Sequence, residues 1–345
     1  MATGPVTELP PLGANGSRLV GRPLPAGGTV GVFAPASPYQ NRSDLLRGVE
    51  WWERNGYRVK LAGGIDARDG YLAGSAEQRA ADMIAMFADP AVDVVQALHG
   101  GFGSTQLVPE LDFDLIRSNP KPFVGASDVT VLHAAIRRFC GLTTFYGPGL
   151  TKINAVGTPP LNQESLLRAV TSTEPLGQVP RNPDDQYIRT LAGGKASGEF
   201  AGGALWVLCQ TIGTPWQIDL KGKILLLEEI GESPWRMDAL LTHLRQAGVL
   251  EGVAGVVVSE VVDCDWSERR PEYPQTLSIE EVLARHIQPL DVPTIYGLPL
   301  GHGKHLFTTP LGAGATLDAD RQTLSITEPA LASPPEAGAQ TTSHA

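Results

Sequence analysis

The first half of the chain alternates short apolar runs with segments of helical periodicity, and this alternation restricts the possible folds more than any other feature. Apolar runs occur at Thr29–Ala34, Val92–Leu98 and Pro122–Gly125, and runs of this length are typical of buried strands. Between them, apolar residues recur every three or four positions, as in Ser43–Asn55, which indicates helices. Strands that alternate with helices predict a parallel sheet covered on both faces.

The second half of the chain repeats this pattern after a stretch rich in Pro, Asn and Asp. We predict strands at Ala196–Phe200 and Lys223–Leu227, a helix at Gly203–Ile212 and another that begins near Ser233. A chain of 345 residues suits two domains of roughly 150 residues each. We therefore predict an α/β protein divided into a flexible arm 1–28, an N-terminal domain 29–170, a linker 171–190, a C-terminal domain 191–328 and a disordered tail 329–345.

Charge and cysteine usage exclude several classes of protein. The 27 Lys and Arg residues against 37 Asp and Glu residues give a net charge of −10, which argues against nucleic-acid and anionic membrane partners. The N-terminal segment lacks a signal-peptide pattern, and no apolar stretch approaches the roughly 18 residues of a membrane span. The three cysteines form no Cys-x-x-Cys, so they predict neither a disulfide framework nor a zinc site. We expect a cytoplasmic protein.

Ser127 is the first candidate for chemistry, since it follows a predicted strand and precedes a predicted helix. A serine on such a turn presents its hydroxyl on a tight bend, where the first N–H groups of the helix can stabilise negative charge. Ser127 is therefore a candidate nucleophile, although Gly125–Val129 lacks the Gly-x-Ser-x-Gly signature of many hydrolases. The alternative is that Ser127 or Asp128 caps the helix.

Two further loops follow predicted strands, at the edge where open parallel sheets bind ligands. Gly100 and Gly101 form one of them, and paired glycines let backbone N–H groups approach an anion, although an ordinary glycine turn is the alternative. Glu228 and Glu229 follow Lys223–Leu227. Neighbours on a strand point to opposite faces, so at most one of these carboxylates enters a common site. The alternative is that both are solvated.

His302 is the candidate base, because Gly301 and Gly303 on either side leave its ring accessible. If the fold brings His302 to Ser127, it would take the serine proton while an acid orients the imidazole. His302 and His305 lack a His-Glu-x-x-His pattern and a third ligand, so no metal is expected. The glycine-rich loops lack Gly-x-Gly-x-x-Gly, so no dinucleotide is expected and we predict no cofactor.

Seven short motifs occur in order along residues 28–327, at Val32–Pro38, Gly100–Ser104, Gly125–His133, Tyr146–Pro148, Gly202–Gly203, Leu227–Glu229 and Pro299–Gly303. Each motif is weak by itself. Taken together, they resemble the LD-carboxypeptidase family of serine peptidases. That family includes muramoyltetrapeptide carboxypeptidases and microcin C self-immunity proteins.

The resemblance implies a Ser-Glu-His triad, with Ser127 as nucleophile, Glu228 as acid and His302 as general base. It also implies a Rossmann-like N-terminal domain with a mostly parallel sheet, followed by a smaller α/β C-terminal domain. Family members carry the serine on the first domain and the other two residues on the second. The active site is therefore expected at the domain interface. Members are commonly homodimers and need no metal.

The resemblance further implies an oxyanion hole built from the backbone N–H of Asp128 and one N–H of the Gly100-Gly101 turn, with Gly101 favoured. None of the departures from the family's pattern removes a member of the triad, so hydrolysis is expected to be intact while contacts with substrate are altered. These departures are His99, Ala204 and Glu229.

The expected function is that of a serine hydrolase that cleaves an amide through an acyl-enzyme, and more specifically an LD-carboxypeptidase that releases the terminal D-amino acid of a muropeptide. One alternative is an amidase of the microcin C self-immunity type, acting on peptidyl-nucleotides or another small amide. The others are an acyl-transferring enzyme and a non-catalytic binding protein. Since tryptophan stacks on bases and arginine pairs with carboxylates and phosphates, we expect substrate contacts from Trp235, Trp266, Arg269 and Arg270.

Overall fold

The computed structural model describes residues 18–184, 187–265 and 277–333. Within these residues the chain forms the strands β1 (Thr29–Phe33), β2 (Arg58–Leu61), β3 (Val94–Ala97), β4 (Phe123–Gly125), β5 (Thr144–Tyr146), β6 (Gly177–Gln178), β7 (Arg189–Ala192), β8 (Lys195–Ala204), β9 (Ile224–Ile230), β10 (Gly255–Val262), β11 (Thr294–Leu298), β12 (Thr309–Leu311), β13 (Gly314–Asp318) and β14 (Thr323–Ile326).

The same residues form the α-helices α1 (Arg42–Arg54), α2 (Ala76–Ala88), α3 (Phe113–Ser118), α4 (Thr130–Cys140), α5 (Leu150–Ile153), α6 (Pro160–Thr171), α7 (Leu205–Gln210), α8 (Pro234–Gln246) and α9 (Ile279–Ile287). Short 3-10 helices lie at Ser104–Glu110, Ser127–Val129 and Gln288–Leu290. No helix in the described part of the chain combines the length and the apolar character needed to cross a membrane.

The first sheet confirms the predicted parallel arrangement. Its strands follow the order β12-β5-β4-β3-β1-β2, in which only β12 is antiparallel to its neighbour. Successive side chains of β1 enter different apolar clusters, with Val32 on one face of the sheet and Phe33 on the other. Burial on both faces explains the continuous apolar runs of the sequence. The loops after β1, β3, β4 and β5 therefore meet at one edge, where ligands bind in such sheets.

The second sheet has four parallel strands at its centre, β8-β9-β10-β11, within the order β6-β14-β13-β8-β9-β10-β11-β7. In the described residues it has more strands than the first sheet. The segment 171–190, predicted as a linker, supplies β6 and the start of β7. In the other direction, β12 returns from the C-terminal part of the chain to pair with β5. Edge strands recruit these segments because unpaired N–H and C=O groups need partners.

The predicted helix at Gly203–Ile212 begins two residues too early. Gly202 and Gly203 end β8 with φ values of +134° and +144°, which only glycine adopts at low cost. A side chain at Gly203 would place its Cβ 2.4 Å from Thr130 Oγ1, and the N–H of Ala204 donates to the same oxygen at 3.1 Å. The two glycines therefore allow β8 to pack closely against α4, and α7 starts only at Leu205.

Residues 18–28 are not the flexible arm that the sequence predicts. The N–H of Leu19 donates to the carbonyl of Gly141 at 2.9 Å, and that of Leu24 to Val170 at 2.7 Å. Leu24 is only 4% exposed. Gly21 pairs with Leu331, which is itself buried, so the start of the predicted tail is also packed. Apolar side chains and paired backbone hold both segments, while 1–17 and 334–345 lie outside the described residues.

Truncation tests this packing. Removing residues 1–24 should lower the Tm by about 5 °C or more relative to removing residues 1–17, because a buried leucine contributes roughly 2–5 kcal/mol and each kcal/mol shifts Tm by about 2–4 °C in a chain of this size. Thermal unfolding of the two truncated proteins measures the difference. Equal Tm values would show that residues 18–24 do not contribute to the core.

Candidate active site

Ser127 lies on the turn between β4 and α4 with a φ of +66°. This left-handed conformation is uncommon for a residue with a side chain and is strained. The N–H of Ser127 donates to the hydroxyl of Tyr146 at 2.9 Å, which holds the turn in place. The structure thus presents Ser127 on a sharp strand-to-helix turn, as the sequence predicts.

His133 supports the strand that carries this turn. Its ring is fully buried, and burial lowers its pKa to about 4, so the imidazole is neutral near pH 7. Nε2 contacts the carbonyl oxygen of Gly125 at 2.9 Å, and Nδ1 contacts the hydroxyl of Thr144 at 2.9 Å. Since a carbonyl only accepts, Nε2 carries the proton and Nδ1 accepts from Thr144. His133 therefore ties β4 to β5 behind Ser127.

Glu228 and Glu229 point to opposite faces of β9, as predicted. Both are buried, at 1% and 5% exposure, so the alternative that both are solvated is wrong. The strand continues to Ile230 and takes both carboxylates into the interior. Glu228 Oε2 lies 2.5 Å from His302 Nδ1. Glu229 instead accepts hydrogen bonds from the N–H groups of Trp206 at 2.7 Å and Ile230 at 2.9 Å.

Glu229 and His302 both have raised pKa values, for different reasons. Burial raises the pKa of Glu229 to about 7, although its two backbone hydrogen bonds favour the ionised form. For His302, burial acts to lower the pKa, but the charge and the hydrogen bond of Glu228 outweigh it and raise the pKa above 6.5. The Glu228–His302 pair therefore favours an imidazolium, which is the charge distribution that a histidine base needs during proton transfer.

The loop that carries His302 follows β11 and lies directly on Glu228. A Cβ at Gly301 would lie 2.8 Å from Glu228 Cβ, and one at Gly303 would lie 1.8 Å from Glu260 Oε2. The two glycines therefore permit a close backbone approach. Asn162 braces the loop from α6, because its Oδ1 accepts from the N–H of Leu306 at 2.9 Å.

Ser127 and His302 line one cleft of about 460 Å³ between the two sheets' loops. Its wall also includes Gly100, Gly101 and Lys152. Ser127 comes from the first sheet, whereas His302 and the Glu228 behind it come from the second. The fold thus brings the predicted serine, acid and histidine to one place across the junction of the two sheets.

The Gly100-Gly101 turn packs against Ser127. A Cβ at Gly100 would lie 2.8 Å from Ser127 Cβ and 3.1 Å from its Oγ. Gly101 has a φ of +114°, and a Cβ there would lie 2.4 Å from Ser37 Oγ. The side chain of Asp128 accepts from the N–H of Ser104 at 2.7 Å and so ties the serine turn to this glycine turn. Burial raises the pKa of Asp128 against the opposing hydrogen bonds to Ser104.

Arg79 supports the loop that contains Gly100 and Gly101. No sequence motif indicated this role. The Arg79 guanidinium is 1% exposed and donates to the carbonyl oxygens of Pro35 at 2.6 Å and Gly103 at 2.9 Å. It also donates to Gln106 Oε1 at 2.6 Å. These bonds join the loop after β1 to the loop after β3.

Of the four residues predicted to contact substrate, the structure describes only Trp235. Trp266, Arg269 and Arg270 lie outside the described residues. Trp235 is the second residue of α8, is 45% exposed and lies with its ring 5.7 Å from the Arg236 guanidinium. It is not among the described residues that line the cleft, and its contact with substrate stays a prediction.

The positions that depart from the family pattern have distinct surroundings. His99 lines the cleft, contacts the carbonyl of Pro38 at 3.1 Å and has its pKa lowered by burial. Ala204 is buried where β8 meets α4. Glu229 lies on the far side of β9 from His302. Only His99 can therefore contact a ligand in the cleft.

Tyr146 is the main residue that sequence reasoning missed. Its hydroxyl accepts from the N–H of Ser127 and donates to Glu228 Oε1 at 2.5 Å. The ring is completely buried, and burial together with the charge of Glu228 raises its pKa well above 10. Tyr146 therefore connects the serine turn directly to the buried acid. The sequence feature that could have indicated this role is the position of Tyr146 at the end of β5, directly before Gly147-Pro148.

Across the described ranges, no group of three or more His, Cys, Asp or Glu side chains is arranged to hold a metal ion. A serine on a strained turn lines the same cleft as a histidine that is hydrogen-bonded to a buried carboxylate, and these are the residue types of a serine hydrolase. With its two α/β sheets, the molecule falls in the class of two-domain α/β serine hydrolases.

The chain belongs to the LD-carboxypeptidase family. Residues 30–147 match the LD-carboxypeptidase N-terminal domain, and residues 197–317 match the LD-carboxypeptidase C-terminal domain. The chain is 38% identical over 304 residues to the "Probable murein peptide carboxypeptidase" of Bacillus subtilis, covering 88% of this chain and 92% of that one. It is 30% identical over 343 residues to the microcin C7 self-immunity protein MccF of Escherichia coli, covering 90% and 96%.

Solved structures agree with this assignment. MccF in complex with glutamyl sulfamoyl guanosine superimposes with a TM-score of 0.79 at 27% identity, covering 91% of this chain and all of that one. Muramoyltetrapeptide carboxypeptidase from Oxalobacter formigenes gives a TM-score of 0.74 at 28% identity, covering 87% and 99%. The predicted family and the two-domain α/β fold are thus confirmed.

Proposed function

We propose that this protein hydrolyses an amide bond through an acyl-enzyme, with Ser127 as nucleophile, His302 as general base and Glu228 as the acid that orients it. The observation that carries the proposal is the buried Glu228–His302 hydrogen bond of 2.5 Å in the cleft that Ser127 lines. The family's serine peptidase chemistry requires these three residue types in one place.

In the proposed reaction, His302 Nε2 takes the proton of Ser127 Oγ as the oxygen attacks the carbonyl carbon. The N–H groups of Asp128 and Gly101 stabilise the oxyanion, and Gly100 gives the turn room beside Ser127. The tetrahedral intermediate collapses when His302 gives its proton to the leaving amine. A water molecule, deprotonated by His302, then releases the acyl group from Ser127.

Tyr146 has a positioning role in this proposal. By donating to Glu228 Oε1 it leaves Oε2 for His302, and by accepting from Ser127 N–H it supports the strained turn. A hydrogen bond to a charged group contributes about 1.5–3 kcal/mol, and its loss in a buried site leaves the partner unsatisfied.

Replacing Tyr146 with phenylalanine should lower kcat by about 10- to 100-fold, because Ser127 N–H and Glu228 Oε1 lose their partner together. Steady-state kinetics with an amide substrate measure the loss, and circular dichroism verifies folding. The matched control is Tyr71→Phe, since Tyr71 is 68% exposed and does not line the cleft. A folded Tyr146→Phe protein with the kcat of wild type would rule out this role.

The pH profile should reflect the Glu228–His302 pair. His302 must be neutral to accept the serine proton, and its pKa is raised above 6.5. We therefore expect kcat/KM to fall as the pH drops through that raised pKa. In Glu228→Gln the residual activity should persist to lower pH, because the charge and the hydrogen bond of Glu228 that raise the pKa of His302 are removed. Measuring kcat/KM between pH 5 and 9 tests this, and an unshifted acidic limb in the variant would contradict it.

For the substrate, we propose a muropeptide that loses its terminal D-amino acid. Relatives of this chain carry the names murein peptide and murein tetrapeptide carboxypeptidase. The second candidate is a peptidyl-nucleotide, favoured by the similarity to MccF, whose structure holds glutamyl sulfamoyl guanosine. A nucleobase needs an aromatic surface for stacking. Among the described residues, no Trp, Tyr or Phe lines the cleft, which favours the muropeptide.

Two substrates separate these candidates. We expect kcat/KM for a muramoyl tetrapeptide to exceed that for a peptidyl-sulfamoyl adenosine, and intact mass to show an acyl group on Ser127. Trp266→Ala is the matched variant, because Trp266 is the remaining stacking candidate. Preference for the nucleotide, lost selectively in Trp266→Ala, would assign the protein to the self-immunity type. Acyl transfer would appear as a product joined to an added amine, and binding without turnover would make the protein a non-catalytic relative.

The family resemblance also leads us to propose a homodimer. Light scattering of the purified protein tests the assembly.

A further inference from the structure

The cleft carries positive charge although the chain as a whole is acidic. The net charge of the chain is −10. Among the described residues, however, no Asp or Glu lines the cleft, whereas Lys152 and Lys304 both do. A wall with two ammonium groups and no carboxylate attracts an anionic ligand.

The two lysines are not equivalent. Lys304 is paired with Asp184, with Nζ 2.5 Å from the carboxylate, so its charge is already compensated. The Lys152 ammonium has neither an ion pair nor a hydrogen bond with any residue that the structure describes, and its side chain is exposed to the cleft. Among the described residues that line the cleft, Lys152 is therefore the cation left to bind a ligand.

Lys152 lines the cleft from α5, which follows β5 of the sheet that also carries the Ser127 turn. The helix α5 packs next to the glycine turn because the N–H of Thr151 donates to the carbonyl of Leu98 at 3.1 Å. Burial lowers the pKa of His99, and the charge of Lys152 acts in the same direction there, whereas at His302 it opposes the net rise of the pKa. Its ammonium is thus within electrostatic range of the base.

The chemistry of the leaving group places a carboxylate in this region. In the proposed reaction His302 gives its proton to the leaving amine. In a C-terminal amino acid the carboxylate is separated from that amine by a single carbon atom. Once the amine is at His302, the carboxylate must lie within a few bond lengths of it, which is within the reach of a flexible lysine.

We propose that Lys152 binds the terminal carboxylate of the leaving amino acid and so restricts the enzyme to the last residue of a peptide. The inference rests on the proposed function and deepens it, since it explains how a hydrolytic site becomes an exopeptidase. A peptide that continues past the scissile bond has a neutral amide at this place and forms no ion pair.

The test compares a muramoyl tetrapeptide with a free terminal carboxylate and the same peptide with a terminal amide. In wild type, kcat/KM for the acid should exceed that for the amide by about 10- to 100-fold, as expected for a charge-assisted hydrogen bond. Lys152→Met should bring this ratio close to one, chiefly through KM, and Lys152→Arg should restore much of it. Since Lys152 is exposed, these variants should fold.

Lys304→Met is the matched control, because it removes an equal charge from the same cleft. Since Asp184 already pairs with Lys304, the acid-to-amide ratio should change by less than about threefold. A wild-type ratio near one, or a Lys152→Met ratio equal to that of wild type, would overturn the inference. The second outcome would mean that the carboxylate is bound elsewhere, with Arg269 and Arg270 as the next candidates.

Binding to the Ser127→Ala protein separates this inference from the proposed function. Calorimetry with the acid and amide peptides gives two Kd values without turnover. The inference is supported if the Ser127→Ala protein binds the acid more tightly than the amide and the Ser127→Ala, Lys152→Met double variant does not. This result would support the inference even if the wild-type protein cleaves neither peptide and the proposed function fails. Equal Kd values for the two peptides overturn the inference, even if wild type cleaves both.

Discussion

Replacing Ser127 with alanine should abolish turnover while the protein still folds. Removal of a serine nucleophile costs on the order of 10⁴–10⁶ in rate. The side chain lies on a turn in the cleft rather than in a core, so we expect the free energy of unfolding to change by less than about 1 kcal/mol. Kinetics with a muramoyl tetrapeptide, intact mass for the acyl group and thermal unfolding provide the three measurements.

Ser127→Gly adds a second measurement to this prediction. Because the φ of Ser127 is +66°, glycine relieves backbone strain there and should raise the Tm while activity is lost. Ser118→Ala, on the exposed end of α3, is the control and should keep full activity. Turnover in a folded Ser127→Ala protein would remove the covalent mechanism.

Glu228→Gln should lower kcat/KM by about two to four orders of magnitude, because His302 Nδ1 loses the carboxylate that orients the ring and stabilises its cation. Glu229→Gln should lower it by less than about tenfold, since Glu229 faces the N-terminus of α7 on the other side of β9 and does not contact His302. The same assay ranks the two variants. The reverse ranking would show that Glu229 rather than Glu228 serves the histidine.

Replacing Glu229 should also change how the stability of the protein depends on pH. Burial raises the pKa of Glu229 from 4.5 to about 7, so the folded protein holds a proton there that the unfolded chain has lost. The stability from this carboxyl is present below pH 4.5 and is lost as the pH rises through about 7. Glu229→Gln should therefore reduce the fall in Tm between pH 5 and pH 8. An unchanged fall would mean that Glu229 ionises normally.

Several features of the site were predictable because they are local. The turn at Ser127 follows from a short apolar run, a glycine and the onset of helical periodicity, all within a few residues. The opposite orientation of Glu228 and Glu229 follows from the period of two along any strand. The accessibility of His302 follows from its flanking glycines. The ordered motifs then led to the family, since each marks a loop at a strand end.

Other features depend on contacts between distant parts of the chain, and periodicity carries no information about them. Glu228 and His302 are 74 residues apart, and Tyr146 and Glu228 are 82 apart. Residues 18–28 contain glycine and proline, which is typical of a loose arm, yet the Leu24 side chain is buried and its N–H is bonded to α6. β12 joins the first sheet although its neighbours in sequence belong to the second.

The sequence by itself therefore determined the α/β class, the serine turn and the family, because strand and helix periods and turn residues act over a few positions. Only the tertiary structure decided that Tyr146 connects Ser127 to Glu228, that Glu228 reaches His302 and that the Lys152 ammonium pairs with none of the residues that the structure describes. These outcomes depend on how two sheets pack and on which charges meet across their junction. Such contacts are set by the burial and pairing of groups that the chain brings together only when it folds.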